Sequence, residues 1–231
     1  MQQRSYDDIL GRLKDERESL SISQMELCRF ARTSQSNYSK SEQGQRRFNF
    51  RELEGMCESE LDMHYVYTAR KGSGKYQEFL SKCSYPELIF FLEHICFYVF
   101  YRYRSDYSER WKGVYDRLRY VPLIERSMGG ANLFVRLRQY VGLRQTNMAE
   151  SLGIDVKKLR ELENGRCQPD SELFFMLYEK YDVPPFVLLR DRKGLISELG
   201  IILEMMPRDE EGRMAELLCQ LHADKEQSEA F

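Results

Sequence analysis

Apolar residues in this 231-residue chain recur at intervals of three and four, and strand-like alternation is hard to find. Ile9, Leu13 and Leu20 form one such stripe. Met25, Leu27, Cys28 and Ala31 form a second, and Leu53, Met56 and Cys57 a third. Each predicts an amphipathic helix with those side chains inward. The punctuation agrees. Asp7 and Asp8 favour the start of a helix running from Tyr6 or Asp7 to Leu20. Ser23 and Glu26 make a capping box, and Ser34 caps a short helix from Gln35 to Glu42 that Gly44 stops. Asn49 and Glu52 begin a fourth helix, and Leu61, Met63, Tyr65 and Val66 close the segment. Glycine (14) and proline (6) are sparse. The pattern predicts an all-α protein.

The pattern then repeats. Arg17, Gln24, Glu42 and Gly44 return as Arg138, Gln145, Glu163 and Gly165, each 121 residues later. After the glycine the offset reads as 120, pairing Leu53 with Leu173, Met56 with Met176 and Asp62 with Asp182. This is an internal duplication of a head of about 60 residues, a size small folding units reach. The heads occupy 1–69 and 131–190, joined by a middle segment, 70–130, and followed by an extension, 191–231. In the second head Leu133, Val135, Leu137 and Val141 supply the first stripe. Leu152, Ile154, Leu159 and Leu162 supply the core. Asp155 caps the third helix, Pro169 and Asp170 start the fourth, and Arg144 stands where Ser23 caps in the first head, a poorer choice.

The middle opens on Thr68–Lys75, TARKGSGK, a linker whose spacing fails the phosphate-loop pattern. Leu88 to Tyr101 is almost wholly apolar or aromatic. It is too short, and too interrupted by Glu93 and His94, to cross a bilayer. A helix apolar all round is buried, here against the heads or against a second copy. The second option is a homodimer through the 84–120 helical segment. Arg102 to Arg119 mixes tyrosines, Trp111 and arginines and reads as the core and rim of another helix. Two more helices, near 195–205 and 212–221, are split by Pro207, and the polar tail after His222 frays.

Helix, tight turn over 32–34, helix and glycine stop is the outline of a helix-turn-helix. The residues carry a closer likeness. Leu13-Lys14 with Arg17 in the first helix, Gln24 opening the second, and Glu42-Gln43-Gly44 ending the third resemble the Cro/repressor type of helix-turn-helix, the XRE-like family. The resemblance covers the two heads, about half of the chain. It implies two lambda-repressor-like domains, an Arg17–Glu42 pair that ties the first helix to the third, and double-stranded DNA as partner. It places the start of the third helix in the major groove. Base-reading residues would be Gln35, Ser36, Asn37, Ser39 and Lys40. Gln suits adenine, and Lys suits guanine O6 and N7. Phosphate contacts would come from Gln24 at a helix N-terminus and from Arg46 and Arg47 in the following loop.

The second head departs from the first. It offers Gln145, Val156, Lys157, Lys158, Arg160 and Glu161 at the matching places. Val156 suits a thymine methyl. Glu161 near phosphates is costly unless it accepts from cytosine N4. This head either reads a different half-site or has become a structural partner.

Charge changes this picture little. The net charge is −2, but the acid is concentrated in the C-terminal segment and at the very N-terminus, and 17–51 holds seven basic against three acidic residues. A local basic face is enough, because phosphate contacts act within a Debye length. Six cysteines without a C-x-x-C pair, beside three histidines, argue against a zinc site or a disulfide framework. The polar N-terminus carries no signal peptide, which predicts a cytoplasmic protein. No cofactor is implied. No constellation of paired carboxylates or Cys–His suggests an enzyme. The expectation is a sequence-specific, double-stranded-DNA-binding transcriptional regulator whose tandem heads act as a pseudo-dimer. The competing reading is an interaction adaptor or antitoxin-like protein in which one or both heads bind protein.

Overall fold

The computed structural model describes residues 5–103, 111, 114 and 132–229, and all regular structure among them is helical. In chain order the helices are α1 (Tyr6–Ser19), α2 (Gln24–Phe30), α3 (Gln35–Glu42), α4 (Phe50–Cys57), α5 (Met63–Thr68), α6 (Gln77–Leu80) and α7 (Tyr85–Arg102). There follow α8 (Leu133–Tyr140), α9 (Gln145–Ser151), α10 (Val156–Glu163), α11 (Ser171–Tyr181), α12 (Pro185–Leu189), α13 (Arg192–Met205) and α14 (Arg208–Glu229). The chain divides into two units. Residues 1–69 and 122–191 make the first, and 70–121 with 192–231 make the second.

In the first unit α2 and α3 reappear as α9 and α10 at an offset of 121 residues, at both ends of each helix. Ser23 and Ser34 cap α2 and α3 by accepting from the Glu26 and Asn37 amides. Asp155 caps α10 in the same way, and Arg144 gives α9 no side-chain cap. Three left-handed stops recur in both heads at the 121-residue offset. In the second head these three are glycine: Gly142, Gly153 and Gly165. In the first head the equivalents are Ser21, Arg32 and Gly44. The closing bonds match as well. Gly44 N donates to Ser41 O and Gln45 N to Lys40 O, as Gly165 and Arg166 do to Leu162 and Glu161. The first head therefore carries two β-carbons where the backbone favours none.

The fourth helices correct the expected register. Asn49 and Asp170 are both N-caps, accepting from the amides of Glu52 and Leu173, so the offset stays at 121 past the glycine. Leu53 and Met56 thus correspond to Phe174 and Leu177, all four buried, and not to Leu173 and Met176. Asp62 caps α5, whereas Asp182 is the left-handed residue ending α11. Two expected core residues face solvent, Leu20 and Met25, while Phe134 is buried. Gly55 lets α4 lie close on α2, since a β-carbon there would fall 2.1 Å from the Phe30 carbonyl oxygen.

The two heads share one hydrophobic cluster. Phe174, Phe175 and Leu189 of the second join Tyr6, Phe48, Leu53, Met56 and Tyr67 of the first. At its centre sits Ser171, the first residue of α11. Its hydroxyl lies 2.5 Å from the Tyr6 hydroxyl and accepts from the Phe48 amide at 3.0 Å. Its own amide donates to the Phe48 carbonyl at 2.9 Å, and its carbonyl accepts from the Tyr67 hydroxyl. The Phe174 ring packs against Phe50 and Tyr67, and Phe186 against His64.

In the second unit one side of α7 is buried through Leu88, Leu92, Ile95 and Val99. Leu195, Leu199, Ile202 and Leu203 of α13 and Leu218 of α14 are also buried. Acidic residues tie it: Glu198 to Arg70 at 3.2 Å, Glu211 to Lys75 and Tyr76, and Glu210 to Arg102 and Tyr103. The expectation that the 88–101 segment is buried all round fails, for Phe90, Phe97 and Tyr101 are exposed. The helix expected over 102–119 falls largely outside the described residues, although Trp111 and Val114 are helical and buried. The last helix runs on to Glu229 instead of fraying after His222. Among the described residues no helix is long and apolar enough to cross a membrane.

Two stability changes are expected. Ser21→Gly relieves a left-handed β-carbon at an exposed site and stabilises by about 0.5–1 kcal/mol, raising the melting midpoint by roughly 1–4 °C. Ser171→Ala strips the Phe48 amide and Tyr6 hydroxyl of their partner and costs about 1–3 kcal/mol. Thermal and urea denaturation read both.

Candidate nucleic-acid interface

The third helix of each head is held from behind by one carboxylate. In the first head this is Glu42, in the last turn of α3 and nearly buried. Arg17 Nε donates to Glu42 Oε1 at 2.8 Å, and its second terminal nitrogen reaches Oε2 at 3.3 Å. Gln24 Nε2 donates to Oε2 at 2.5 Å, and the Tyr38 hydroxyl to Oε1 at 3.2 Å. Arg17 also donates to the Ile22 carbonyl at 3.0 Å, so α1, α2 and α3 meet at one point. Burial works against the Arg17 charge, but the hydrogen bonds and charge of Glu42 outweigh it and raise the guanidinium pKa. Burial, and next the Glu42 charge, push the Tyr38 phenol far above its ordinary value.

The second head repeats the arrangement with fewer bonds. Arg138 Nε and Gln145 Nε2 each donate to Glu163 at 2.5 Å, and Arg138 also reaches the Leu143 carbonyl. Leu159 stands where Tyr38 does. The Arg138 side chain is 19% exposed against 8% for Arg17, while the two carboxylates are equally sealed at 5% and 4%.

On the outer face of α3, Gln35, Ser36, Asn37 and Lys40 are exposed. Ser39 is half-buried, and its hydroxyl accepts from Gln43. The capped turn therefore presents four short or flexible polar side chains over the first turn and a half of α3, with Tyr38, Ser41 and Glu42 anchored beneath.

The residues assigned to phosphate each contact a carboxylate. The Gln24 amide nitrogen is turned onto Glu42, and Gln145 onto Glu163. Arg46 pairs with Glu52, whose second oxygen accepts from the Asn49 amide. Arg47 grips Glu172 of the second head with two bonds of 2.8 and 2.9 Å and lies 4.5 Å above the Tyr6 ring. The hydrogen bond to Glu172 is the main reason its pKa is raised. Both loop arginines thus already hold carboxylates.

In the second head Val156 and Glu161 are half-buried and Lys157 is exposed. Lys158 sits 3.5 Å from Asp170, and Arg160 donates to Gln145 Oε1 at 3.2 Å, so its charge backs the Gln145–Glu163 pair. Burial, then the Glu161 charge, raise the pKa of the neighbouring Cys167 thiol. Phe50, Asn132, Leu162, Cys167, Pro169 and Arg190 help line a cavity of ≈ 200 Å³ beside this end of the head.

Tyr38, Ser171 and Glu172 were not singled out from the sequence. Tyr38 carries a signal, lying one turn before Glu42 on a polar helix. Ser171 and Glu172 act on the other head and carry none. Comparison with protein-family models, with curated proteins and with solved structures finds no match to this chain.

Removing Arg17 leaves Glu42 buried without its main counter-charge. Arg17→Ala is expected to cost about 3–5 kcal/mol, and Arg138→Ala less, because the Arg138 guanidinium is partly in water and makes fewer bonds. Urea midpoints of the two variants test the order. Equal losses would mean that burial of the carboxylate alone sets the cost.

Proposed function

We propose that the chain is a sequence-specific double-stranded-DNA-binding protein that regulates transcription, with α3 entering the major groove. The observation that carries this is the build of α3. A carboxylate clamp fixes its inner face to α1 and α2, while Gln35, Ser36, Asn37 and Lys40 stand exposed at its N-terminal half. A helix-turn-helix reads base edges from that half, and these side chains suit adenine and guanine edges. The likeness of the heads to the Cro/repressor type points the same way.

In this reading the heads work as a pseudo-dimer on one chain. Their shared core and the Ser171 junction favour a joined pair over two independently swinging domains. Arg47 reaches phosphate by leaving Glu172, an exposed pair that costs about 0–1 kcal/mol to break. A second reading is favoured for the second head. Val156 and Glu161 replace Gln35 and Lys40, and Arg160 is spent on Gln145. That face suits a structural role or a protein contact better than bases.

Fluorescence anisotropy with the full chain and the duplex upstream of its own coding region tests this. Affinity should fall steeply with salt, by about 0.9 in log–log slope for each phosphate neutralised. Lys40→Ala should cost about 1–3 kcal/mol at one base pair and leave non-specific binding nearly intact. Binding no better than to a scrambled duplex at low salt would reject the reading. An unchanged preference in both Lys40→Ala and Gln35→Ala would reject the residue assignment.

A further inference from the structure

The cavity beside the second head has walls of two kinds. Phe134, Leu162, Pro169 and Val187 are buried and give it an apolar floor. Gly165, Gln168 and Arg190 are exposed, so it opens to water on their side. Phe50 adds a wall from the first head, where its ring packs on Phe174 at 6.1 Å. The volume is ≈ 200 Å³. A dry cavity of about 150 Å³ with such a lining takes benzene. One ring carrying one small polar group therefore fills this space, with the ring on the floor and the polar group at the mouth.

The lining also says what that polar group is. Asn132 is already spent. Its Nδ2 donates to the Leu162 carbonyl at 2.6 Å, and its Oδ1 accepts from the Phe134 amide at 2.8 Å. Arg190 is the sole charge on the described lining. It ends α12 with its backbone left-handed at φ 50°. Arg46, Arg47 and Arg138 each hold a carboxylate, whereas among the described residues the Arg190 guanidinium holds none. Asp191, next in the chain, is buried and lies off the lining. Gln168 adds an amide to the same lining. A guanidinium offers paired donors that match a planar carboxylate, and a carboxylate drawn toward an apolar floor needs such a partner. An ammonium in the same place meets a like charge.

We propose that this cavity binds a small monocarboxylate with a flat apolar body, of the size of benzoate, its ring against Phe134 and Leu162 and its carboxylate on Arg190. This is independent of whether the heads bind DNA.

Fluorine NMR titration of the full chain with 4-fluorobenzoate tests it, with 4-fluorobenzyl alcohol and 4-fluorobenzylammonium as neutral and cationic controls. The carboxylate should saturate with a dissociation constant on the order of 1 mM, as suits so small a ligand. It should bind about fivefold tighter than the alcohol or better, and the ammonium more weakly than either. Arg190→Gln, at an exposed position, should cut carboxylate affinity about fivefold and leave the alcohol unchanged. Cys167→Phe, which fills the cavity from a half-buried wall, should weaken both ligands, with unchanged helical circular dichroism. No saturation by about 20 mM carboxylate overturns the proposal. Equal affinity for carboxylate and alcohol, or a carboxylate affinity indifferent to Arg190→Gln, overturns the anion assignment. Binding indifferent to Cys167→Phe overturns the site.

Discussion

A buried carboxylate at the end of the third helix organises each head. Glu42 is drawn out of water because Arg17, Gln24 and Tyr38 converge on it from α1, α2 and one turn back in α3. The arrangement is all-or-none in character. With every partner present the charge is satisfied, and with the guanidinium gone an uncompensated charge sits in a low-dielectric site. Its consequence is angular. Three short helices, none long enough to be stable alone, are held in one mutual orientation, so the outward half of α3 becomes a rigid display.

The two heads solve the same problem with different reserves. The first has the richer clamp but keeps β-carbons at Ser21 and Arg32, where the backbone turns left-handed. The second has glycine at the three matching positions but loses the Tyr38 bond and the Ser23 cap. Neither stands by itself in the core, because Ser171 and Phe174 complete the first head's cluster. The junction also takes up Arg47. A side chain suited to phosphate is thereby bound into the architecture, and on the proposed reading head–head contact and DNA contact draw on the same guanidinium.

Much of this was legible from local signals. Helix α3, its Ser34 cap and its Gly44 stop follow from residues a few positions apart, and the Arg17–Glu42 pair is what the helix-turn-helix resemblance implies. What escaped depends on distant partners. The fourth-helix register was misread because Leu53–Leu173 and Met56–Met176 match by type, while the caps Asn49 and Asp170 fix the alignment one residue away. Periodicity also assigned Met25 and Leu20 to the core, although the fold leaves both exposed at helix ends. Arg46 and Arg47 look like phosphate ligands in sequence, and only the fold brings Glu52 and Glu172 to them. The exposed face of α7 was hidden by its composition, since an almost wholly apolar helix does not declare which face stays wet.

The central claim is that the outer face of α3 reads duplex DNA. Selection from a random duplex pool, run in parallel with the full chain and with its Gln35→Ala, Lys40→Ala double variant, tests it most directly. The account predicts a defined motif for the unaltered chain, and loss of information at adjacent base pairs with the variant. No enriched motif for the unaltered chain, or the same motif from both proteins, would contradict it.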